Sequence, residues 1–180
     1  MKPRFFMLWA LIMCSLSAFS NSVKGNDNRF NKVNFQALPS LEISLNQGVS
    51  GAYSGNIDGQ AIVAGGCNFP NTPAAEGGAK VFYNAVYALR GKQWTKIGEL
   101  PHALAYGVSI TTQEGIVCLG GNDGKHSSDK VFLLKTKGTS QKEVTTTSLP
   151  ALPLPLDNFA GAATPDGTIY IAGGQSNGVA

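Results

Sequence analysis

The heptapeptide Gln60-Ala61-Ile62-Val63-Ala64-Gly65-Gly66 sets the pattern of this chain, because two further copies of it follow. The second copy ends in Gly120-Gly121 and the third in Gly173-Gly174, so the double glycines lie 55 and then 53 residues apart. In each copy an apolar run rich in β-branched residues precedes the glycines, which is typical of a buried strand. Each run also follows a turn sequence, Asp58-Gly59 in the first copy. The chain is therefore expected to consist of repeated antiparallel units.

A repeat of about 50 residues with this pattern is typical of a Kelch β-propeller, in which each repeat forms one four-stranded blade. The predicted fold class is all-β, with blades near residues 49–101, 105–150 and 158–180 and the last lacking its two outer strands. About two and a half blades are thus expected. The predicted strands cover residues 51–56, 60–66, 81–89 and 93–97, then 106–112, 116–121, 130–135 and 143–147, then 159–164 and 168–174.

The N-terminus has the features of a signal peptide over residues 1–20. Lys2 and Arg4 form a charged region, and residues 5–16 form an apolar region that is too short to span a bilayer. Small residues at Ala18 and Ser20 suit cleavage before Asn21. The protein is therefore expected to be periplasmic or secreted. Residues 21–32 are predicted to be flexible and residues 33–39 to form a lone outer strand.

Composition limits the classes of partner. A chain that is 43% hydrophobic and 14% charged is expected to fold rather than to remain disordered. Without Lys2 and Arg4, 12 basic residues face 11 acidic ones, so there is no basic excess for nucleic acid and no membrane attachment is expected after cleavage. After cleavage, Cys67 and Cys118 are expected to be two buried thiols, with a disulfide between them as the alternative. Neither the cysteines nor the histidines predict a metal site.

The longest predicted loops share one end of the blades, where function is most often found. Glu76 is the candidate acid or base, Lys80 could bind an anion, and Tyr106 could stack on a sugar. Each has a structural alternative: a solvated loop residue for Glu76, a surface charge for Lys80 and core packing for Tyr106. The polar residues expected at this end are Asn68, Glu76, Lys80, His102, Tyr106, Asn122, Asp123, His126 and Asp157, of which Asn122-Asp123-Gly124 also has the sequence of a turn.

Several of these residues carry a family resemblance. The stretch 64–70, Ala-Gly-Gly-Cys-Asn-Phe-Pro, the stretch Ala75-Glu76-Gly77-Gly78 and the stretch Ala105-Tyr106-Gly107-Val108-Ser109 resemble the sialic acid mutarotases, also called N-acetylneuraminate epimerases. The order of the blades is most similar to the cyclically permuted branch of that family. The resemblance covers about residues 34–174.

The resemblance implies a six-bladed propeller and an isomerase. Its expected reaction interconverts the α and β anomers of N-acetylneuraminate, a sugar acid, without a cofactor. It implies a catalytic role for Glu76 and substrate contacts for Asn68, Lys80, Tyr106 and Asn122. Because the Gly-Glu-x5-Arg segment of the family is not found in this chain, these 180 residues alone are expected to be inactive.

Two alternatives remain open. A propeller of this type can be a non-catalytic module that binds glycans or proteins, since one fold serves many functions. A copper oxidase of the galactose-oxidase type shares the repeat, but it needs a histidine-rich site and this chain has only His102 and His126.

Overall fold

The computed structural model describes residues 35–41, 48–137 and 143–180. The chain divides into two units, Met1–Ala37 and Leu38–Ala180. In the first unit only residues 35–37 are described, and they form no regular secondary structure. The predicted signal peptide and flexible segment lie outside the described residues. The sheets and the site described below belong to the second unit.

The described part of the second unit is built from β-strands and one short 3₁₀ helix, Ala74–Glu76. None of its helices has the length and hydrophobicity that a membrane span requires. The strands in chain order are β1 (Tyr53–Ile57), β2 (Gln60–Ala64), β3 (Cys67–Asn68), β4 (Val81–Phe82), β5 (Ala85–Arg90), β6 (Gln93–Glu99), β7 (Val108–Thr112), β8 (Gly115–Leu119), β9 (Val131–Thr136), β10 (Val144–Leu149), β11 (Ala160–Ala163) and β12 (Ile169–Ala172).

Each repeat folds into its own antiparallel sheet. The first sheet has the order β1-β2-β5-β6, the second has β7-β8-β9-β10, and the third consists of β11 and β12. The double-glycine strands β2, β8 and β12 are the second strands of their sheets, as predicted. Asp58 and Gly59 both adopt positive φ, 52° and 81°, which is what a two-residue type I′ hairpin between β1 and β2 requires.

The core lies between the sheets. One cluster joins buried residues of β1, β2 and β5 to Ile116, Cys118, Phe132 and Leu134 of the second sheet. A second cluster covers the other face of that sheet with side chains such as Val117 and Leu133, against which Phe159 and Ile169 pack. Because β8 is buried on both faces, its sequence is a continuous apolar run instead of an alternating one. The third sheet packs against this second face of the second sheet, and most of its own residues are exposed.

The first and second sheets are joined along their first strands. The backbone N–H of Ser54 donates to Ser109 Oγ over 3.0 Å, and that hydroxyl donates back to the Ser54 carbonyl over 2.8 Å. One step along the strand, the N–H of Asn56 donates to Thr111 Oγ1 over 3.1 Å. The hydroxyl side chains of β7 therefore replace a strand partner for β1 and hold the first strands side by side.

Two strand predictions within the blades need correction. The third strand of the first blade does not run through residues 81–89, because β4 pairs with β3 in a separate ribbon and β5 alone enters the sheet. The cause is the left-handed Gly65-Gly66 pair, with φ of 66° and 91°, which directs Cys67 out of the sheet. The strand predicted at 106–112 begins at Val108, since Tyr106 has a φ of 64°.

The outer strand predicted at residues 33–39 is not formed in residues 35–39. Residues 35–41 carry no strand, and positions 33 and 34 lie outside the described residues. Within the second unit, the indole of Trp94 donates to the carbonyl of Pro39 over 2.9 Å. Trp94 and Tyr87 line a cavity of about 490 Å³ beside that segment.

Candidate functional site

A polar cleft of about 810 Å³ opens where the loops of the three sheets meet. Two lysines, two aromatic rings and several amides surround it. Its lining residues are Lys80, Phe82, Tyr106, Asn122, Asp123, Gly124, Lys125, Asp157, Asn158 and Gln175. Of the five residues proposed from the sequence for catalysis or binding, Lys80, Tyr106 and Asn122 come together here.

A repeated backbone geometry brings these loops together. In each sheet the residue that follows the double glycine exchanges two backbone hydrogen bonds with the residue that leads into the sheet. The pairs are Cys67 with Ser50, Asn122 with Ala105, and Gln175 with Asp157, at N···O distances from 2.7 to 3.0 Å. The residue after each double glycine is thereby fixed beside the start of its own sheet.

In all three sheets, the residue that follows Ser50, Ala105 or Asp157 in the chain has a left-handed backbone conformation. Gly51, Tyr106 and Asn158 have φ values of 63°, 64° and 54°. The N–H of Tyr106 donates to the Gly51 carbonyl over 2.7 Å, and the N–H of Asn158 donates to the Tyr106 carbonyl over 2.8 Å. A line of backbone hydrogen bonds therefore crosses from sheet to sheet and sets the side chains of Tyr106 and Asn158 at the cleft. Gly51 has no side chain because a Cβ there would lie 2.7 Å from the Tyr106 ring.

Tyr106 is the centre of a cluster at one wall of the cleft. Its hydroxyl oxygen lies 2.9 Å from Lys80 Nζ and 3.1 Å from Cys67 Sγ. The Lys80 ammonium also lies over the rings of Phe69 and Tyr106, at 5.4 and 5.1 Å from their centroids. The hydrogen bond to Tyr106 raises the pKa of Lys80 above its ordinary value, so this side chain is a cation in the cleft.

Asp157 is the centre of a second cluster among the lining residues. It is completely buried, and its carboxylate accepts hydrogen bonds from Asn122, Ser127, Asn158 and Gln175. Burial alone would raise the pKa of this carboxyl, but the hydrogen bonds outweigh it and the pKa lies below its ordinary value. Because its donors come from the loops of two sheets, Asp157 holds the second and third sheets together. Its acceptor positions are all occupied, so it is unsuited to proton exchange.

Asn122 and Asp123 form the turn that the sequence indicates. Asn122 Oδ1 accepts from the Gly124 N–H over 2.6 Å while its amide nitrogen donates to Asp157. The Asp123 carboxylate accepts from the N–H groups of His126 and Lys125, which lowers the pKa of Asp123. The exposed residues of this turn, including Lys125, form the rim of the cleft.

Asn68 lies behind the cleft wall. Its amide donates to the Gly48 carbonyl over 2.7 Å and accepts from the Tyr83 hydroxyl over 2.8 Å. It lines a smaller cavity of about 430 Å³, next to Ser50 and Cys67. The structure therefore places Asn68 against the loop that carries the site and not in the polar cleft itself.

Glu76 ends the 3₁₀ helix and is exposed. It is not among the residues that line the cleft, and neither are His102 and His126. In residues 35–41, 48–137 and 143–180, no three side chains of the His, Cys, Asp or Glu type meet as metal ligands. Cys67 and Cys118 are free and buried, as the sequence favours.

Sequence reasoning missed Asn158, Gln175 and Lys125 as lining residues. The first two had a signal, because Gln175 follows a double glycine as Asn122 does, and Asn158 occupies the same repeat position as Tyr106. Lys125 had none, since a charged residue in a polar turn is ordinary. The thiol of Cys67 had none either, because its contact depends on the left-handed conformation of Tyr106.

Comparison with known proteins gives these features a context. Residues 17–145 match the family model described as N-acetylneuraminate epimerase. The N-acetylneuraminate epimerase of Vibrio cholerae serotype O1 is 38% identical over 114 residues, which make up 57% of this chain and 30% of that protein. N-acetylneuraminate epimerase 1 of Escherichia coli O6:H1 is 37% identical over 115 residues, 58% of this chain and 30% of that protein.

A solved structure, that of YjhT, is similar in fold. It superposes with a TM-score of 0.54 at 26% sequence identity, over 65% of this chain and 35% of the YjhT chain. The likeness confirms the predicted fold class, an all-β Kelch-type β-propeller. The chain spans about 30% of the length of the curated relatives it matches.

Proposed function

The chain belongs to the N-acetylneuraminate epimerase family, and on that premise we propose that it forms part of an isomerase that interconverts the α and β anomers of N-acetylneuraminate. The observation that carries the proposal is the cleft that Lys80 and Tyr106 line together with the amides around Asp157. A cation, aromatic rings and neutral hydrogen-bonding groups are together what a sugar acid requires. We also propose, from the N-terminal pattern, that the protein is exported.

The cleft offers a distinct partner to each part of the substrate. The Lys80 ammonium suits the carboxylate, because a charge-assisted hydrogen bond is stronger than a neutral one. Phe82 and Tyr106 offer apolar ring surface to the sugar. The amides of Asn158 and Gln175, which also line the cleft, suit its hydroxyl and acetamido groups.

Anomer exchange needs only proton transfers. A base takes the proton of the anomeric hydroxyl, an acid protonates the ring oxygen, the ring opens, and closure on the other face of the carbonyl reverses the roles. No electrons are gained or lost, so the proposed reaction uses no cofactor. The relatives are about three times longer than the matched stretch, and we propose that other blades complete the site.

Lys80→Gln tests the substrate assignment in the complete protein. It is expected to raise KM for N-acetylneuraminate by about tenfold, since it removes a charged hydrogen bond to the substrate carboxylate. Exchange between the two anomers is measured by NMR. The matched control is Lys92→Gln, at the opposite end of the first sheet, which should behave as wild type. A wild-type protein that binds the sugar without exchanging its anomers would instead favour a non-catalytic glycan-binding propeller.

Glu76→Gln tests the catalytic role implied by the family resemblance. If Glu76 exchanges the anomeric proton, the amide should lower kcat by about 10²-fold or more. Glu76 is exposed and lies outside the cleft lining, so the substitution should leave stability unchanged. A rate equal to that of the wild-type protein would remove Glu76 from the mechanism without touching the assignment of the cleft.

A further inference from the structure

Cys67 is a buried thiol that the proposed reaction does not use. It is fully buried, and its sulfur lies 3.1 Å from the Tyr106 hydroxyl oxygen. Its other polar neighbours are more distant: the Ser50 hydroxyl is at 3.6 Å and the Ser50 carbonyl at 3.8 Å. The best acceptor for the thiol proton is therefore the Tyr106 oxygen.

The same oxygen also accepts from Lys80, whose Nζ lies at 2.9 Å. An ammonium group can only donate, and a phenol oxygen has two lone pairs. With Lys80 and Cys67 both donating, the acceptor capacity of Tyr106 is filled. The tyrosine's own proton is then available to a third group, and Tyr106 is among the residues that line the cleft.

Tyr106 is held firmly in this orientation. Its left-handed backbone is fixed on both sides by the hydrogen bonds to Gly51 and from Asn158. Its ring packs edge-on against Phe82 with centroids 6.4 Å apart, and Gly51 lies against the ring edge. An oriented donor of this kind loses little entropy when it meets a substrate oxygen.

We propose that Tyr106 is the catalytic proton donor to the ring oxygen of the sugar acid, and that Cys67 is a positioning residue that directs the tyrosine proton into the cleft. This inference rests on the proposed function. The Tyr106 proton passes to the ring oxygen as the bond from that oxygen to the anomeric carbon breaks. The anomeric hydroxyl gives its proton to a carboxylate base, and its electron pair forms the carbonyl. Ring closure returns both protons, while Lys80 and the thiol stabilise the transient phenolate.

Tyr106→Phe in the complete protein is the first test. The ring packing remains and only the hydroxyl is lost, so kcat for anomer exchange should fall by about 10²-fold with KM changed little. The matched control is Tyr170→Phe, an exposed residue of β12, which should exchange anomers at the wild-type rate. An unchanged kcat, or a raised KM alone, would overturn the inference while leaving the proposed function intact. A wild-type protein without exchange would overturn both.

Cys67 variants test the positioning role. Cys67→Ala removes the donor and should lower kcat roughly three- to tenfold, while Cys67→Ser keeps a hydroxyl donor and should recover most of the rate. Cys118→Ala is the matched control, because it deletes a buried thiol remote from the cleft and should leave kcat unchanged. Equal rates for Cys67→Ala and wild type would overturn the positioning role.

Infrared spectroscopy tests the hydrogen bond itself without an activity assay. The S–H stretch of Cys67, isolated by subtracting the spectrum of Cys67→Ala, should move to higher frequency in Tyr106→Phe because the acceptor is lost. The stretch of Cys118 should not move. A Cys67 band unaffected by Tyr106→Phe would show that the thiol does not donate to the phenol, and the inference would fail.

Discussion

Asp157 shows how a single buried charge can join two repeats through hydrogen bonds to neutral side chains. Its donors come from the second sheet's loop, through Asn122 and Ser127, and from the third sheet's loop, through Gln175. Hydrogen bonds to a carboxylate are stronger than those between neutral groups, and removing a buried acceptor leaves its donors without partners. The geometry of the cleft on this side therefore depends on the ionised form of Asp157.

Asp157→Asn should reduce the free energy of unfolding by about 2–3 kcal/mol at neutral pH, since an amide must present a donor to donors. The folded-state pKa of Asp157 is depressed, so its contribution is present above the ordinary value of 3.8 and is lost as the pH falls through the folded pKa. The difference between wild type and variant should therefore shrink below pH 3.8. Urea unfolding at several pH values measures it, with Asp58→Asn, in an exposed turn, as the control. A difference that stays constant across that range would contradict the role given to the charge.

For single residues, the sequence predicts which end of the blades a side chain lies at better than it predicts which groups that side chain contacts. Lys80, Tyr106 and Asn122 were predicted at one end of the blades and do line one cleft. Glu76 was grouped with them by its loop, yet a loop of this length can present a side chain to solvent as easily as to the cleft. The left-handed conformation of Tyr106 could not be predicted, because a tyrosine with positive φ is uncommon and has no sequence signal.

Tyr53 links one strand of the first sheet to the double glycine of the second. It is buried, its ring packs edge-on against Phe132 at 5.9 Å, and its hydroxyl donates to the Gly120 carbonyl. Burial raises the pKa of Tyr53 far above its ordinary value, so the phenol stays protonated and acts as a donor. This hydrogen bond ties the double glycine of the second sheet to the first strand of the first sheet.

Tyr53→Phe should lower the free energy of unfolding by about 1–2 kcal/mol, because the hydrogen bond between the sheets is lost while the ring packing is kept. Tyr170→Phe on β12 removes an exposed hydroxyl and should change it by less than about 0.5 kcal/mol. Chemical denaturation of both variants provides the comparison. Equal stabilities would mean that the Gly120 carbonyl finds another donor at no cost.

Element boundaries followed the sequence wherever turn chemistry was explicit. The Asp58-Gly59 hairpin was predicted correctly because those residues fix the backbone. The double-glycine strands were predicted correctly as second strands, but each ends before its glycines and not after them. The break between β4 and β5 was missed, because residues 81–89 are apolar or aromatic except for Asn84, and one polar residue does not distinguish a strand that changes partners. The partner change comes from Gly65-Gly66, far away along the chain.

At the scale of the whole molecule, the third sheet is the most exposed of the three sheets. In the described part of the chain β12 pairs only with β11, and Tyr170 on it is 62% exposed. An exposed strand edge can pair with other chains. Residues 1–180 expressed alone are therefore expected to self-associate and to give no anomer exchange above buffer. Light scattering and the NMR exchange assay measure the two outcomes, and a monomeric chain that accelerates exchange would contradict this prediction.

The formation of each four-stranded sheet from one continuous stretch has a consequence for how the chain is made. The first sheet, β1-β2-β5-β6, and the second, β7-β8-β9-β10, each pair strands that lie close together in sequence. Each sheet can therefore form without waiting for distant residues. During synthesis the first sheet can be complete while the second is still emerging. Only the bonds between sheets, such as those from Tyr53 and to Asp157, must wait for the following repeat. The order of synthesis should then be the order of folding, with each new sheet assembled against the one before it.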